Sequence, residues 1–149
     1  MTEALFNKSD VCVVPPTLIV ELKEKAQVAP RRRFRLCMHR SHQDLVQEMI
    51  IVFCQDSHIP IHRHVGNRSE SFHVIEGKLT VLLYDDAGSL IQEVALGQPG
   101  SSRASIYRVS SPLWHTVRLE SEFVVLHEIG TGPFDPQQQE EQPEWVTVR

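Results

Sequence analysis

The sequence lacks a basic excess, a long apolar run and a dense set of thiols. Fifteen Lys and Arg face nineteen Asp and Glu, a formal charge of −4. Proteins that coat nucleic acid are usually basic, so that role is disfavoured. No apolar run approaches the ~20 residues needed to span a bilayer, and the longest, Met49 to Cys54, is strand-sized. Polar Asn7, Lys8, Ser9 and Asp10 precede any apolar stretch, unlike a signal peptide. The three cysteines, Cys12, Cys37 and Cys54, show no C-x-x-C spacing and read as reduced thiols. The expectation is a cytoplasmic protein with neither nucleic acid nor membrane as partner. What is present is a chain of 149 residues, 41% hydrophobic, enough for one domain with its own core.

The first forty residues differ from the rest. Leu18, Leu22 and Ala26 lie four apart, and Thr17 is placed to cap a helix that Pro30 ends. A strand through β-branched Ile19 and Val20 is the alternative. From Arg33 the period shortens to two: Phe34, Leu36 and Met38 alternate with polar neighbours. Met49 to Cys54 is apolar on both faces and reads as a central strand. Further strands are expected over 71–75, 78–84, 90–96, 106–109, 115–119 and 122–129. Asp85-Asp86-Ala87-Gly88 and Glu120-Ser121 form hairpin turns. The tail from Gly130 to Pro143 is polar, and Trp145, Val146 and Val148 are suited to dock back as a terminal strand. Many short strands separated by turns define an all-β barrel or sandwich.

Eight histidines stand out for this length. His62 and His64 are two apart, so on a strand they share a face and can converge on one ion. Glu70 follows a five-residue connector, and His115 comes later on another strand. Three imidazoles and a carboxylate suit one divalent ion of Fe, Mn, Ni, Co, Cu or Zn. Taken alone, H-x-H is more often a surface or hydrogen-bonding pair than a ligand pair. His73 has the opposite parity to Glu70 and reads as structural. Glu76 reads as a solvated turn residue before Gly77. Tyr84 and Trp114 read as packing.

The segment His62-Arg-His64-Val-Gly-Asn-Arg-Ser-Glu70-Ser-Phe-His-Val-Ile-Glu-Gly77 resembles the first motif of the cupin superfamily, and Ser111-Pro112-Leu113-Trp114-His115-Thr116-Val117 resembles the second. The gap before Glu70 is one residue longer than the usual pattern. No P-x-G element precedes His115, and residue 119 is Leu where the pattern has Asn. The run Arg68-Ser-Glu-Ser-Phe-His-Val74, with Ala29-Pro-Arg-Arg-Arg33, is similar to the WbuC-type cupin fold metalloproteins found beside bacterial polysaccharide genes. The resemblance covers about Lys25 to Gly132. It implies a cupin (double-stranded β-helix, jelly-roll) barrel over 41–132, a short N-terminal α/β extension over 1–40 and a C-terminal tail over 133–149. It also implies His62, His64, Glu70 and His115 as metal ligands.

Arg31, Arg33, Arg35 and Arg68 are candidates for binding an anion at the barrel mouth, since guanidinium forks hold carboxylates and phosphates in bidentate geometry. The bland alternative is a solvated basic face. His127 alternates with Val125 and Phe123 and is expected as a pocket wall residue. His73, His127, Tyr84 and Tyr107 are nominal acid–base groups, with no spacing that selects one. The functional expectation is a metal-dependent enzyme acting on a small anionic or sugar-related ligand in surface polysaccharide metabolism. A non-catalytic metal and ligand sensor is the alternative. A homodimer is expected, with Phe34 to Met38 or the N-terminal arm at its interface.

Overall fold

The structure is a computed structural model that describes residues 2–66, 68–110, 112–137 and 140–146. One helix, α1 (Pro16–Val28), accompanies eleven strands: β1 (Ala4–Phe6), β2 (Arg33–Cys37), β3 (Val46–Cys54), β4 (Arg63–His64), β5 (Glu70–Glu76), β6 (Lys78–Tyr84), β7 (Leu90–Gly97), β8 (Ile106–Val109), β9 (Trp114–Leu119), β10 (Phe123–Thr131) and β11 (Glu140–Glu141). A six-stranded sheet runs β1-β2-β3-β10-β5-β8, a three-stranded sheet runs β7-β6-β9, and β11 pairs with β4. This is a mostly-β jelly-roll.

The six-stranded sheet is apolar on both faces. Its inner face contributes Ile51, Phe53, Phe72, Val74, Val124 and Leu126 to a core shared with Leu79, Val81, Leu83, Leu96 and Leu119 from the other sheet side. Its outer face contributes Phe34, Leu36, Ile50, Val52, Cys54 and Val125, which pack under Leu22 and Ala26 of α1. Lys23 clamps the helix further, its ammonium donating to both carboxylate oxygens of Glu76 at 2.7 Å. Glu76, its side chain still 44% exposed at the turn, therefore also tethers α1.

The helix begins earlier than expected. Pro15 occupies the cap position and Pro16 the first turn, and no side chain caps the end. Proline suits that turn because its missing N–H would be unpaired there anyway, so Thr17 lies inside the helix instead of capping it. β2 is an interior strand, bonded in parallel to β1 and antiparallel to β3. The Phe34 to Met38 segment is therefore not a free edge, whereas β1 in the N-terminal arm is an edge strand. Trp145 docks through a turn and not a strand, against Tyr84 and Trp114 at ring separations of 5.7 and 6.4 Å. Val148 lies outside the described residues. No helix among the described residues is long and apolar enough to cross a membrane.

Candidate metal centre

Strand parity and register set Arg33 and Arg35 of β2, Ile51 and Phe53 of β3, and Val124, Leu126 and Glu128 of β10 on one inner face. On β10, Val124 and Leu126 enter the core, and two residues on, Glu128 enters a cavity of about 480 Å³. On β2, Phe34 and Leu36 face the helix, so Arg33 and Arg35 turn to the cavity. Arg31 and Arg68 also line it, as do His62, His64, Glu70 and His115.

The three histidines converge. His62, at an isolated bridge to His115, and His64 of β4 bring ligating nitrogens within 4.8 Å of one another and of the His115 nitrogen. Two of the rings are held by backbone carbonyls two residues earlier: His62 Nδ1 by Pro60 O at 2.9 Å and His115 Nδ1 by Leu113 O at 2.8 Å. A carbonyl only accepts, so each Nδ1 carries the proton and each Nε2 presents its lone pair. His115 Nε2 is buried with no hydrogen-bond partner. An orphaned, correctly tautomerised imidazole nitrogen beside two others fits a divalent ion, which would settle the lone pair that burial leaves unsatisfied.

Glu70 closes the inner side. Its Oε2 is 3.1 Å from His64 Nε2 and 3.4 Å from His115 Nε2. Donors that each bind one zinc-like ion at about 2.0–2.2 Å sit roughly 3 to 4 Å apart, and both separations fall in that span. Burial pushes the Glu70 carboxyl up, but the neighbouring polar groups of Glu128, His115 and His64 outweigh it and hold the group well below its ordinary range. Glu128 moves the other way. Enclosure by the barrel wall, then the charge of Glu70, push it well above the ordinary range. The pair thus reads as one carboxylate and one carboxylic acid sharing a hydrogen bond. Burial lowers His62, with His115 adding to the effect, whereas for His64 the bond to Glu70 overcomes burial and raises it.

The arginines differ in their commitments. Arg31 is paired with Glu3, and Arg68 donates to Pro133 O at 2.7 Å. Arg33 donates to His58 O at 3.3 Å, and Arg35 makes no ion pair among the described residues. Burial pulls the Arg33 guanidinium below its ordinary value, and the charges of Arg31 and Arg35 add to that. Two cations facing a cavity at this spacing are complementary to an anion.

His127 is not in the cavity wall. It stands on the outer face of the six-stranded sheet, paired across strands with His73, and its Nε2 is 2.7 Å from Glu48 Oε1. The parity of Phe123 and Val125 is right, but those residues face the helix and not the barrel. Conversely, the sequence reading passed over Glu128, whose signal was its shared parity with Val124 and Leu126. It also passed over Glu140, which reaches the cavity from β11.

The fold is that of the cupins. A Staphylococcus aureus capsular polysaccharide assembling protein, CapF, superposes with a TM-score of 0.61 at 18% identity, over 78% of this chain and 33% of CapF. A Shewanella oneidensis protein gives 0.60 at 14% identity, over 73% of this chain and 72% of that one. A cupin superfamily protein of Desulfitobacterium hafniense gives 0.52 at 13% identity, over 74% and 86%. The aligned part spans about a third of the length of CapF. Within that class, the chain belongs to the family described as "Domain of unknown function (DUF6016)", whose family model matches residues 14–96. No curated protein matches it.

Proposed function

We propose that the protein is a divalent-metal cupin that acts on a small anionic, sugar-related ligand. The observation that carries this reading is the convergence of three histidine nitrogens within 4.8 Å of one another, two of the rings, His62 and His115, being turned there by backbone carbonyls. His62, His64, His115 and Glu70 would hold the ion, and when bound it supplies Lewis-acid polarisation of a substrate oxygen. Arg33 and Arg35 attract and orient the anion. The apolar floor of Ile51, Phe53, Phe72 and Leu126 excludes water from the inner end of the cavity. Glu128 stands next to Glu70, its carboxyl pushed up by burial and by the Glu70 charge.

A WbuC-type identity and a place in bacterial surface polysaccharide metabolism go with this reading. The sequence resemblance and the likeness to CapF, a capsular polysaccharide assembling protein, support them. A cytoplasmic homodimer belongs to the same proposal. The test is elemental analysis of the purified protein, followed by a screen of sugar nucleotides and small keto-acids with and without oxygen. Stoichiometric metal and turnover of one substrate class support the proposal. Metal without turnover, together with tight ligand binding, would favour a sensor, and absence of metal would overturn the metal reading.

A further inference from the structure

Two described stretches beyond β10, residues 132–137 and β11, lie against the cavity and are together called the strap. Phe134 stacks on His42 with ring centroids 4.8 Å apart, and Phe134, Pro136 and Gln137 line the cavity. Further on, β11 pairs with β4 in a register that sets Glu140 opposite His64 and Glu141 opposite Arg63. Glu141 accepts from Arg63 Nε at 2.6 Å, and Arg63 in turn lies 4.2 Å over the Trp114 ring. Trp145 completes the anchor. Its indole lies so close to Gly88 that a Cβ there would come within 2.7 Å of it, and Gly88 takes a φ of 86°. The pairing of β11 with β4 and the Trp145 contact fix one residue beside the histidines.

That residue is Glu140. Its Oε1 lies 4.0 Å from His62 Nε2, and it lines the cavity. His62 Nε2 is the imidazole nitrogen for which no contact with Glu70 is found within 4.0 Å among the described residues, whereas those of His64 and His115 both have one. The three imidazoles are therefore flanked by one carboxylate from the barrel and one from the strap. A separation of 4.0 Å is the upper end of the roughly 3 to 4 Å that two donors of one ion keep; the group within 4.8 Å is His62, His64 and His115, and a swing of the exposed Glu140 side chain towards them completes the set.

We propose that Glu140 is a further donor to the three-histidine centre, seated by the strap where an oxygen of an anionic ligand would otherwise bind. The inference rests on the metal-site reading above and adds a residue to it. Neutral imidazoles contribute no charge, so a divalent ion held with ionised Glu70 alone leaves one positive charge uncompensated. Glu140 balances it. An incoming carboxylate or phosphate balances it equally, so the exchange is a substitution of one oxygen anion for another, with no electron transfer and no net change in charge. The side chain of Glu140 is 56% exposed, so it can leave towards solvent without disturbing the core.

The test uses the full chain, stripped with a chelator and titrated with Co(II), reading the visible absorption of the bound ion. The Glu140→Gln variant keeps the shape and the β11 pairing. It is expected to bind Co(II) at least about 10-fold more weakly, with an altered spectrum. In Glu140→Ala, added acetate is expected to restore the wild-type spectrum, which a merely structural role would not produce. If both variants bind Co(II) with wild-type affinity and spectrum, Glu140 is not a donor, while the three-histidine reading stands. If the wild-type protein and His62→Ala alike fail to bind Co(II), the metal-site reading falls and takes this inference with it.

Discussion

His62 and His115 bond to each other through their backbones in both directions. The His62 N–H donates to His115 O at 3.0 Å and the His115 N–H to His62 O at 2.8 Å. Their rings stand 4.4 Å apart between centroids. Two of the three imidazoles are thus set by main chain rather than by rotamer preference. Replacing either ring with alanine leaves that backbone pair intact. His62→Ala and His115→Ala should therefore fold normally by circular dichroism and lose metal affinity by at least about 10-fold, measured by chelator competition.

The arginines should not contribute equally. Arg31 and Arg68 already have partners, whereas Arg33 and Arg35 face the cavity with less engagement. Arg33→Met or Arg35→Met should weaken citrate binding by about 10-fold to 100-fold, the equivalent of roughly 1.5–3 kcal/mol for a charge-assisted contact. Calorimetry checks this, with metal content unchanged. Equal affinity in all four single variants would make the cluster a solvated face.

Leu22 is fully buried between α1 and the outer face of the sheet. Leu22→Ala should cost about 2–5 kcal/mol in denaturant unfolding. Because this core lies on the far side of the sheet from the cavity, metal stoichiometry at low denaturant should stay the same.

Gly77 takes a φ of 89°, and a Cβ there would overlap the Phe123 carbonyl oxygen and Ser121 Oγ. Gly77→Ala should destabilise by more than the about 1–2 kcal/mol of left-handed backbone alone. Thermal unfolding beside the wild type measures it.

The bond from Arg103, with a smaller contribution from Thr80, holds Glu120 below the ordinary glutamate value of 4.5. A depressed folded value adds stability above the unfolded value, and that stability disappears as the pH falls through the folded one. Glu120→Gln should therefore flatten the loss of stability on acidification below about pH 4.5 and change little at pH 2. Urea midpoints across that range decide it.

Much of this was legible in the chain. The two-faced apolar run Met49 to Cys54 announced a central strand, and β3 does lie between β2 and β10. The cupin-like motifs announced the jelly-roll. Period two says which residues share a face but not which face is the barrel. On β10 both faces are covered, so Phe123 and Val125 were as good a sign of interior as Val124 and Leu126. That symmetry put His127 in the pocket and hid Glu128. Glu140 was hidden for another reason: a two-residue strand in a polar tail has no periodicity to read, and only its partner on β4 gives it a place.

β10 is bonded along most of its length to β3 on one side and β5 on the other, while β11 is held to β4 by two residue pairs. Amide exchange should separate these parts by rate, with β10 opening only when the whole molecule unfolds and β11 opening by itself. The histidines sit between the two. His64 lies on β4, whose strand partner is β11, so opening of β11 also loosens the strand that carries one ligand, while Glu70 on β5 and His115 on β9 stay on the slower clock of the larger sheets.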